Sequence, residues 1–409
     1  MKLLPLFLCA ALLYSGCLLQ AENYEQKMSV AFTGDIIMHI PVKNVAALHN
    51  VKDETGESKN NGGFDFLFEK ITPLLTSADV AVGNMEFPVA KPYKSRPWVF
   101  NCTPDVIPAM KRAGISAVIT ANNHVLDQRS AGLLETMELL KNYGVSYAGT
   151  GATAAEARDG IVLSVNGINC GVLACTGISN TPIPKKNKQV FVNWFYNEEE
   201  IIADITAMKA KVDIVILVVH TGAEYVPLPN AEDRALMRGY LDAGADVIIG
   251  HHPHIVLPAE EYSASDGRET IIFYSLGNFI SNQSSVVKYA GRNISTRHGL
   301  VVKINMQKLP DRNSNRQVLT ANFEPIPVQT QNTRGTDGRR VIQTAPFAQG
   351  EDAPKLYMLY EKDIAQPVYV ASRPRKPLRK TSLKLSEQKD QLVIKKTLER
   401  KPRHRKSDL

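Results

Sequence analysis

The chain has 409 residues, of which 44% are hydrophobic and 22% are charged, a composition typical of a soluble globular protein. The net charge of +7 is unevenly spread, because residues 371–409 hold 14 Lys/Arg and 4 Asp/Glu, which gives +10 and leaves −3 for the rest. The basic character therefore belongs to the C-terminal segment and is no sign of a basic, nucleic-acid-binding body.

The N-terminal sequence predicts an exported protein. Lys2 precedes an apolar run over residues 3–13, which fits a secretory signal and is too short for a comfortable membrane span. Two processing sites stay open: cleavage after residue 21 would release a soluble protein, whereas a lipobox-like sequence would remove residues 1–16 and place a lipid on Cys17. We therefore expect the protein in the periplasm or cell envelope, soluble or lipid-anchored.

Apolar β-rich runs alternate with helix-like stretches. The first predicted elements are strand MSVAFTGDIIMH, helix FDFLFEKITPLLTSAD, strand VAVGNMEFP, helix CTPDVIPAMKRAG, strand ISAVITANNH, helix SAGLLETMELLKNYG and strand VSYAGTG. Next come hairpin DGIVLSVNGINCGVLACTG, helix NEEEIIADITAMKAKV, strand DIVILVVHTG, helix NAEDRALMRGYLDAG, and strands ADVIIGHH, ETIIFYSLGNF, HGLVVKINMQ and RQVLTANFEPIPV. This order predicts a layered α/β domain over residues 22–330, followed by a basic, poorly ordered extension over residues 331–409.

Five polar clusters stand at the C-terminal ends of apolar strands. In layered α/β folds these ends line the functional crevice, so the clusters would converge if their strands belonged to one sheet. Each cluster alone is also compatible with a turn, a helix cap or a buried histidine, but their joint occurrence favours a site. The clusters are Gly34-Asp35 with His39, Gly83-Asn84 with Glu86, Asn122-Asn123-His124, His220 with Glu224, and Gly250 to His254.

The residue types in these clusters predict a divalent transition-metal site. Imidazole with carboxylate suits Zn, Fe and Mn, whereas an all-oxygen set would indicate Mg or Ca. One carboxylate can bridge two metals that together activate a water, so one or two metals are expected. Cys102, Cys170 and Cys175 match no disulfide framework or metal motif and are predicted to be buried thiols.

Six sequence blocks together resemble the CapA/PgsA family of poly-γ-glutamate (capsule) biosynthesis proteins. They occur in the family's order across roughly residues 30–328 and read FTGDIIMH, VGNMEFP, TANNHVLD, VVHTGAEY, IIGHHPH and FYSLGNF. That family is similar to the calcineurin-like metallophosphatases. The resemblance therefore implies a four-layer α/β/β/α sandwich around a dinuclear metal site.

The resemblance also implies roles for individual residues. Glu86 stands in the place of the bridging carboxylate, and His124 in that of the catalytic histidine. The remaining metal ligands implied by the matching motifs are Asp35, Asn123, His220, His252 and His254. His251 is read as a neighbour of this set, and not as a ligand.

Three further assignments accompany this ligand set. Ile37 occupies the position where the phosphatases place a histidine, so His39 is the nearest imidazole and a candidate ligand. Glu224 is a candidate ligand or catalytic base. Substrate-binding roles are expected for Asn84, Asn122 and Asn278, the last within the block that shapes the pocket. The changed ligands weaken the expectation of phosphate-ester hydrolysis.

The combined prediction is a metal-dependent hydrolase or transferase acting on poly-γ-glutamate or a similar anionic envelope polymer. Two alternatives stay open, a non-catalytic accessory subunit of a membrane capsule synthase and a periplasmic phosphoesterase. The basic C-terminal segment is either a solvated extension or a contact for anionic lipid or polymer. Nucleic acid is not an expected partner of an exported protein.

Overall fold

The computed structural model describes residues 26–183, 189–289, 291–310, 317–348, 351, 353, 356, 358 and 359. The chain divides into two units, Met1–Ala365 and Gln366–Leu409, and every structural statement below concerns the first. The predicted signal segment, the Cys17 anchor and the basic C-terminal segment lie outside the described residues. Among the described residues, no helix has both the length and the apolar character needed to cross a membrane.

Strands and helices follow each other along the described chain. The strands are β1 (Lys27–Ile36), β2 (Val80–Met85), β3 (Ile115–Ile119), β4 (Ser146–Ala148), β5 (Thr150–Gly151), β6 (Ile161–Val165), β7 (Ile168–Thr176), β8 (Phe191–Val192), β9 (Ile214–His220), β10 (Val247–His251), β11 (Ala259–Ser263), β12 (Glu269–Phe273), β13 (Asn278–Ile280), β14 (Val286–Tyr289), β15 (Arg292–Ser295), β16 (His298–Pro310), β17 (Gln317–Arg334) and β18 (Arg340–Pro346). The helices are α1 (Ile40–Leu48), α2 (Phe64–Phe68), α3 (Thr72–Leu75), α4 (Val106–Arg112), α5 (Arg129–Asn142), α6 (Ala154–Asp159), α7 (Glu198–Lys209) and α8 (Ala231–Asp242).

Two large sheets organise these elements. The first sheet has the order β18-β17-β16-β1-β2-β3-β4, with β13 also paired to β1, and the second has the order β11-β12-β10-β9-β7-β6. Strands β1 to β4 run parallel in the first sheet, as do β7, β9, β10 and β12 in the second. Each sheet therefore has a group of parallel strands whose carboxyl ends share one edge.

The two sheets pack face to face with helices outside them. Along β9, Ile216 belongs to the core between the sheets, whereas its neighbour Leu217 belongs to the core that contains α7 and α8 residues. This alternation follows from the period of two along a strand. On the first sheet, Phe32 packs between the sheets, whereas Ala31 packs in the core that contains residues of α1 to α4. The four-layer α/β/β/α arrangement implied by the sequence is confirmed.

The five polar clusters end strands of both sheets, so the single sheet considered from the sequence does not form. Strands β1, β2 and β3 carry three clusters in the first sheet, and β9 and β10 carry two in the second. The clusters still converge because the two sheets meet at the edge where these strands end. His251 Nδ1 of the second sheet lies 2.8 Å from Asp35 Oδ1 of the first.

Two local predictions have different outcomes. The hairpin around Asn166-Gly167 is confirmed, since β6 pairs with β7 and both turn residues have positive φ, as a tight turn of this class requires. The single helix predicted for FDFLFEKITPLLTSAD is wrong, because the chain forms α2 and then α3. Pro73 lies in the first turn of α3 and would clash with the carbonyl of Glu69 in a continuous helix.

The sheet extends past the domain boundary expected at residue 330. Strand β17 continues to Arg334, and β18 pairs with it antiparallel through residue 346. Turn-rich sequence between them is typical of the end of a domain, but here it forms the loop between two paired strands.

Cys102, Cys170 and Cys175 are free and buried, and burial raises the pKa of the Cys102 thiol to about 12.

Replacing Gly250 by Ala is expected to destabilise the fold by about 3 kcal/mol. A Cβ atom at this position would lie 2.1 Å from the carbonyl oxygen of Tyr274, and a backbone atom cannot rotate away. Gly239 in α8 is the matched control because a Cβ there meets nothing within 4 Å. Gly239→Ala should stabilise by about 0.5–1 kcal/mol, since Ala favours the helix. Urea unfolding midpoints that moved in the same direction would contradict this steric argument.

Candidate metal centre

Asp35 anchors the site at the end of β1. It is fully buried and accepts hydrogen bonds from Asn84 Nδ2 at 2.8 Å, His251 Nδ1 at 2.8 Å and His254 Nδ1 at 3.1 Å. Burial alone would raise the pKa of Asp35, but the two histidine contacts hold that pKa well below its usual value. Asp35 is therefore a carboxylate that joins the two sheets.

Glu86 is the second buried carboxyl group, and neither of its oxygens has a hydrogen-bond partner among the described residues. Instead, three imidazole Nε2 atoms surround Glu86 Oε1, those of His254 at 3.8 Å, His220 at 3.9 Å and His124 at 4.0 Å. Burial raises the pKa of Glu86 well above its usual value, and the charge of Asp35 adds to this effect. A buried carboxylate without a partner is costly and requires an explanation.

A metal ion explains the surroundings of Glu86. Two groups of donors, each with atoms within 4.8 Å of one another, could hold an ion: Glu86 with His252 and His254, and Asp35 with Glu86 and His220. Glu86 belongs to both groups, which is the position that a bridging carboxylate occupies between two metals. The nitrogen and oxygen donors suit a divalent transition metal. The residues present therefore fit one or two such ions.

His220 contacts two amides, one with each ring nitrogen. Its Nδ1 lies 3.2 Å from Asn84 Nδ2, and its Nε2 lies 3.0 Å from Asn123 Oδ1. Burial lowers the pKa of His220 well below its usual value, and His252 adds to this effect. A neutral imidazole is the form that binds metal. Asn123 therefore contacts the second donor group through His220, and its own role as a metal ligand stays a prediction.

The backbone after β10 turns two histidines into the site. His252 has a φ of +98° and His254 a φ of +58°, both in the left-handed region that non-glycine residues rarely adopt. Such strain is concentrated at functional sites. The two rings have centroids 5.7 Å apart, and the His252 ring lies 5.0 Å from that of His220. His251, expected to be a neighbour, lies in neither donor group of the described residues.

His124 has a set of partners that the sequence analysis did not identify. Its Nδ1 lies 2.7 Å from Asp127 Oδ2, and its Nε2 lies 3.3 Å from Asn180 Nδ2. The ring stacks on Phe100 with centroids 3.9 Å apart. Asp127 stands three residues after His124 within the block TANNHVLD, so the spacing was a usable signal; Asn180 and Phe100 gave none. His124 is thus oriented on one ring nitrogen and directed toward Glu86 with the other.

His39 and Glu224 lie outside both donor groups. His39 precedes α1, and its Nδ1 accepts the N–H of Asn282 at 3.3 Å. Burial lowers the pKa of His39 to about 4, and repulsion from His254 and His124 contributes. Glu224 is exposed, yet its charge helps to raise the pKa of Glu86. The structure therefore places both at the periphery, and the roles proposed for them stay predictions.

The three asparagines expected to bind substrate are buried and hydrogen-bonded inside the protein. Asn84 connects Asp35 with His220, and Asn122 donates to the carbonyl of Met85 at 2.9 Å. Asn278 donates to three carbonyl oxygens, including that of His254 at 3.3 Å. These contacts orient the ligand-bearing segments. Binding of substrate by the same amides stays a prediction.

Several named proteins are similar to this chain. Capsule biosynthesis protein CapA from Bacillus anthracis is 29% identical over 301 residues, which cover 69% of this chain and 68% of that protein. PGA biosynthesis protein CapA from Bacillus subtilis (strain 168) is 32% identical over 262 residues, which cover 63% and 64%. A probable polyglutamine synthesis accessory protein from Mycobacterium tuberculosis is 24% identical over 224 residues, which cover 52% and 58%. The chain spans less than two thirds of the length of the last two relatives.

A crystal structure titled as a candidate 5′-nucleotidase from Staphylococcus aureus in complex with alpha-ketoglutarate matches with a TM-score of 0.41 and 11% identity. The match covers 83% of this chain and 57% of that one. The bacterial capsule synthesis protein family PGA_cap matches residues 29–283, a segment that contains all five strand-end clusters. Because this match covers more than half of the chain, the chain belongs to the bacterial capsule synthesis protein family PGA_cap.

Proposed function

We propose that the protein is a metal-dependent hydrolase or transferase that acts on poly-γ-glutamate or a similar anionic polymer of the cell envelope. The observation that carries the metal-dependent chemistry is Glu86. Its two buried oxygens have no hydrogen-bond partner within the described part of the chain, and imidazole nitrogens surround its Oε1. The substrate class is supported by the family and by the printed names of the relatives, which refer to capsule and polyglutamate biosynthesis.

The residues that would hold the metal are the two donor groups around Glu86, with Asn123 beside His220. A bound metal would supply Lewis acidity and a water of lowered pKa for attack on an amide carbonyl. His124 Nε2 lies 4.0 Å from Glu86 Oε1 and is suited to exchange a proton with the departing group. The burial of Asp35, Glu86 and His220 keeps competing water away from the reacting atoms.

Purified protein is expected to contain one or two equivalents of a divalent metal by elemental analysis. Removal with a chelator should lower the melting temperature, because a ligand that binds only the folded state stabilises it by about 3–4 kcal/mol at 100 to 1,000 times its Kd. Re-addition of Mn²⁺, Zn²⁺ or Fe²⁺ should restore the original value. A His252→Ala variant serves as the comparison, since it loses one donor of the first group. Protein that is metal-free and indifferent to all three ions would disprove the metal assignment.

Products separate the proposed reaction from hydrolysis of a phosphate ester. Metal-loaded protein incubated with poly-γ-glutamate should shorten the polymer, measured by size-exclusion chromatography, and should release no phosphate from p-nitrophenyl phosphate. The opposite pattern would favour a phosphoesterase. The changed second motif, Gly83-Asn84 with Glu86, supports the first outcome because the phosphatases have a Gly-Asp motif there.

A non-catalytic role in a membrane capsule synthase is the rival proposal. It is favoured by the printed name of the Mycobacterium tuberculosis relative, an accessory protein of polyglutamine synthesis. Under this rival, a Glu86→Gln variant would still support polymer production in a strain that lacks the wild-type gene. Under the catalytic proposal, the same variant would fail to support it.

We also propose that the protein is exported to the periplasm or cell envelope, with Cys17 as the candidate lipid anchor. The support is the charge and hydropathy pattern of the first residues. The basic segment after residue 370 is proposed to contact anionic lipid or polymer. Metabolic labelling with a fatty acid analogue, compared between wild type and Cys17→Ala, separates a lipidated protein from a soluble one.

A further inference from the structure

A loop beside the candidate metal centre presents a tryptophan to solvent. We name residues 91–100, between β2 and α4, the arm. Trp98 is 74% exposed, whereas Phe100 at the end of the arm is buried. The Phe100 ring stacks on His124 and meets His39 edge-on at 5.1 Å between centroids. Because two residues span at most about 7 Å, the Trp98 backbone lies at the margin of the site.

The arm is tied down by side chains outside it. The buried Asn101 side chain donates to the carbonyl of Ala90 at 2.7 Å and accepts the Ala90 N–H at 2.9 Å. Lys43 Nζ donates to Ser95 Oγ at 2.5 Å and to the carbonyl of Asn101 at 2.9 Å. These bonds close the base of the arm and hold its middle.

The end of the arm nearest the site is bound to the segment that carries the catalytic histidine candidate. Asp127, the partner of His124, accepts the Phe100 N–H at 2.5 Å, and Gln128 donates to the Phe100 carbonyl at 2.7 Å. At the other end, Glu135 accepts the Lys91 N–H at 3.0 Å. Both ends of the arm are therefore held in fixed positions relative to the site.

Trp98 occupies a strained turn that packing does not require. Arg96 and Val99 exchange two backbone hydrogen bonds, at 3.0 and 3.1 Å, around the Pro97-Trp98 pair. Trp98 has a φ of +63°, a region suited to glycine or asparagine and unusual for a bulky residue. A large apolar ring that is exposed and strained is poorly explained by folding stability, and such outliers indicate function.

Cations flank this tryptophan. Lys91, Lys94 and Arg96 are all exposed, and no acidic side chain of the described residues forms an ion pair with them. This part of the arm therefore combines a flat aromatic surface with cationic side chains that form no ion pair among the described residues. This combination is complementary to a flexible polyanion with short apolar segments between its carboxylates.

We propose that the arm is a binding subsite for the extended part of an acidic polymer of the poly-γ-glutamate type, an inference that rests on the proposed function. Lys94 and Arg96 contact carboxylates, and the Trp98 ring covers the methylene groups between them. An anionic lipid surface also attracts tryptophan with cations. The connection of the arm to His124 through Phe100 and Asp127 favours the polymer, because it places the arm beside the reacting groups.

The two tryptophans of the chain allow a direct binding test. In a Trp194→Phe background, Trp98 is the sole tryptophan, and titration with poly-γ-glutamate should shift its emission in a salt-dependent manner. The double variant Lys94→Gln/Arg96→Gln should weaken polymer affinity by about tenfold. Lys52→Gln/Lys59→Gln removes the same charge from the loop beyond the far end of α1 and should leave affinity unchanged.

Turnover provides the second readout. Trp98→Ala should raise KM for the long polymer and leave kcat unchanged, with no effect on a γ-glutamyl dipeptide too short to reach the arm. Thermal unfolding of Trp98→Ala should match the parent, since the replaced side chain is exposed. The proposal would be overturned if Lys94→Gln/Arg96→Gln kept the parent's polymer affinity and Trp98→Ala kept the parent's KM for the long polymer. An emission shift caused by phosphatidylglycerol vesicles and not by polymer would also overturn it.

Failure of the arm and failure of the proposed function give different results. Polymer that shifts Trp98 emission but is never cleaved would refute the catalysis and leave the arm as a binding surface. Polymer that is cleaved with the same KM by parent and Trp98→Ala would refute the arm and leave the catalysis.

Discussion

Replacing Glu86 by Gln is expected to stabilise the metal-free protein and to abolish its stabilisation by metal. Glu86 is buried and has no hydrogen-bond partner among the residues that the structure describes. In the metal-free protein, an uncharged amide of the same shape should therefore raise the free energy of unfolding by on the order of 1–3 kcal/mol. With metal present the order should reverse. The wild type gains binding energy, whereas the variant has lost the carboxylate shared by both donor groups.

The pH dependence of metal-free stability should identify Glu86 as the cause. Its pKa is raised in the folded state, so the folded protein binds more protons than the unfolded chain above the ordinary glutamate pKa. Stability of the wild type should therefore fall as pH rises through this window, and Glu86→Gln should lack that fall. Asp35, whose pKa is lowered, acts at more acidic pH, where its stabilisation is lost as pH falls.

Thermal melts with and without added Mn²⁺ measure both effects. The exposed Glu261 of β11 provides the control, since Glu261→Gln makes the same chemical change away from the centre and should alter neither melt. A Glu86→Gln protein that is less stable than wild type without metal, or that still gains stability from the ion, would show that Glu86 is not a ligand. Turnover of polymer should fall in proportion to metal loss.

The sequence located the donor residues well because their signal is local. Each cluster follows a mostly apolar strand segment, and a polar side chain at such a position has few structural uses other than a turn or a site. Asp35, Glu86, His220, His252 and His254 all converge in the structure. The order of the layers could be predicted equally well, because the spacing of apolar residues indicates which segments form strands and which form helices.

The division into two sheets could not be predicted in the same way. It depends on pairing between distant segments, such as β1 with β16, whose partners are more than 260 residues apart. Local periodicity contains no information on which strands pair. His39 shows the same limit at the level of a side chain. Its spacing from Asp35 suggested a ligand, a role that stays a prediction, but it gave no sign that the path of the chain into α1 places the ring against Phe100.

The sequence motif TANNHVLD contains Asp127, but its contact with His124 was not predicted from that motif. His124 and Asp127 are three residues apart and directly hydrogen-bonded, and the carboxylate also accepts the Phe100 N–H. Only the folded structure shows that one carboxylate binds both the proposed catalytic histidine and Phe100 at the end of the arm. A change at Asp127 should consequently affect both.

Asp127→Asn is expected to reduce polymer turnover by about 10²–10⁴-fold while leaving metal content unchanged. In the wild type, the Asp127 carboxylate accepts the proton of His124 Nδ1, which leaves Nε2 to accept from Asn180. In the variant, an amide oxygen in the place of Asp127 Oδ2 still accepts both the Phe100 N–H and the His124 Nδ1 proton, because both contacts are made to that one atom. The variant therefore replaces a charge-assisted hydrogen bond to His124 Nδ1 by a weaker neutral one.

The ¹⁵N chemical shift of His124 Nδ1 reports this weaker hydrogen bond directly, and a role of Asp127 that does not pass through His124 would not move it. His124→Gln, which removes the ring, should lose a comparable share of turnover, so that the double variant is little worse than either single one. Asp159→Asn at the exposed end of α6 controls for the amide and should match wild type. If Asp127→Asn kept its turnover with the Nδ1 shift changed, the charge of Asp127 would have no part in the action of His124. Reduced metal content in the same variant would instead make the His124–Asp127 pair a support for the ligands.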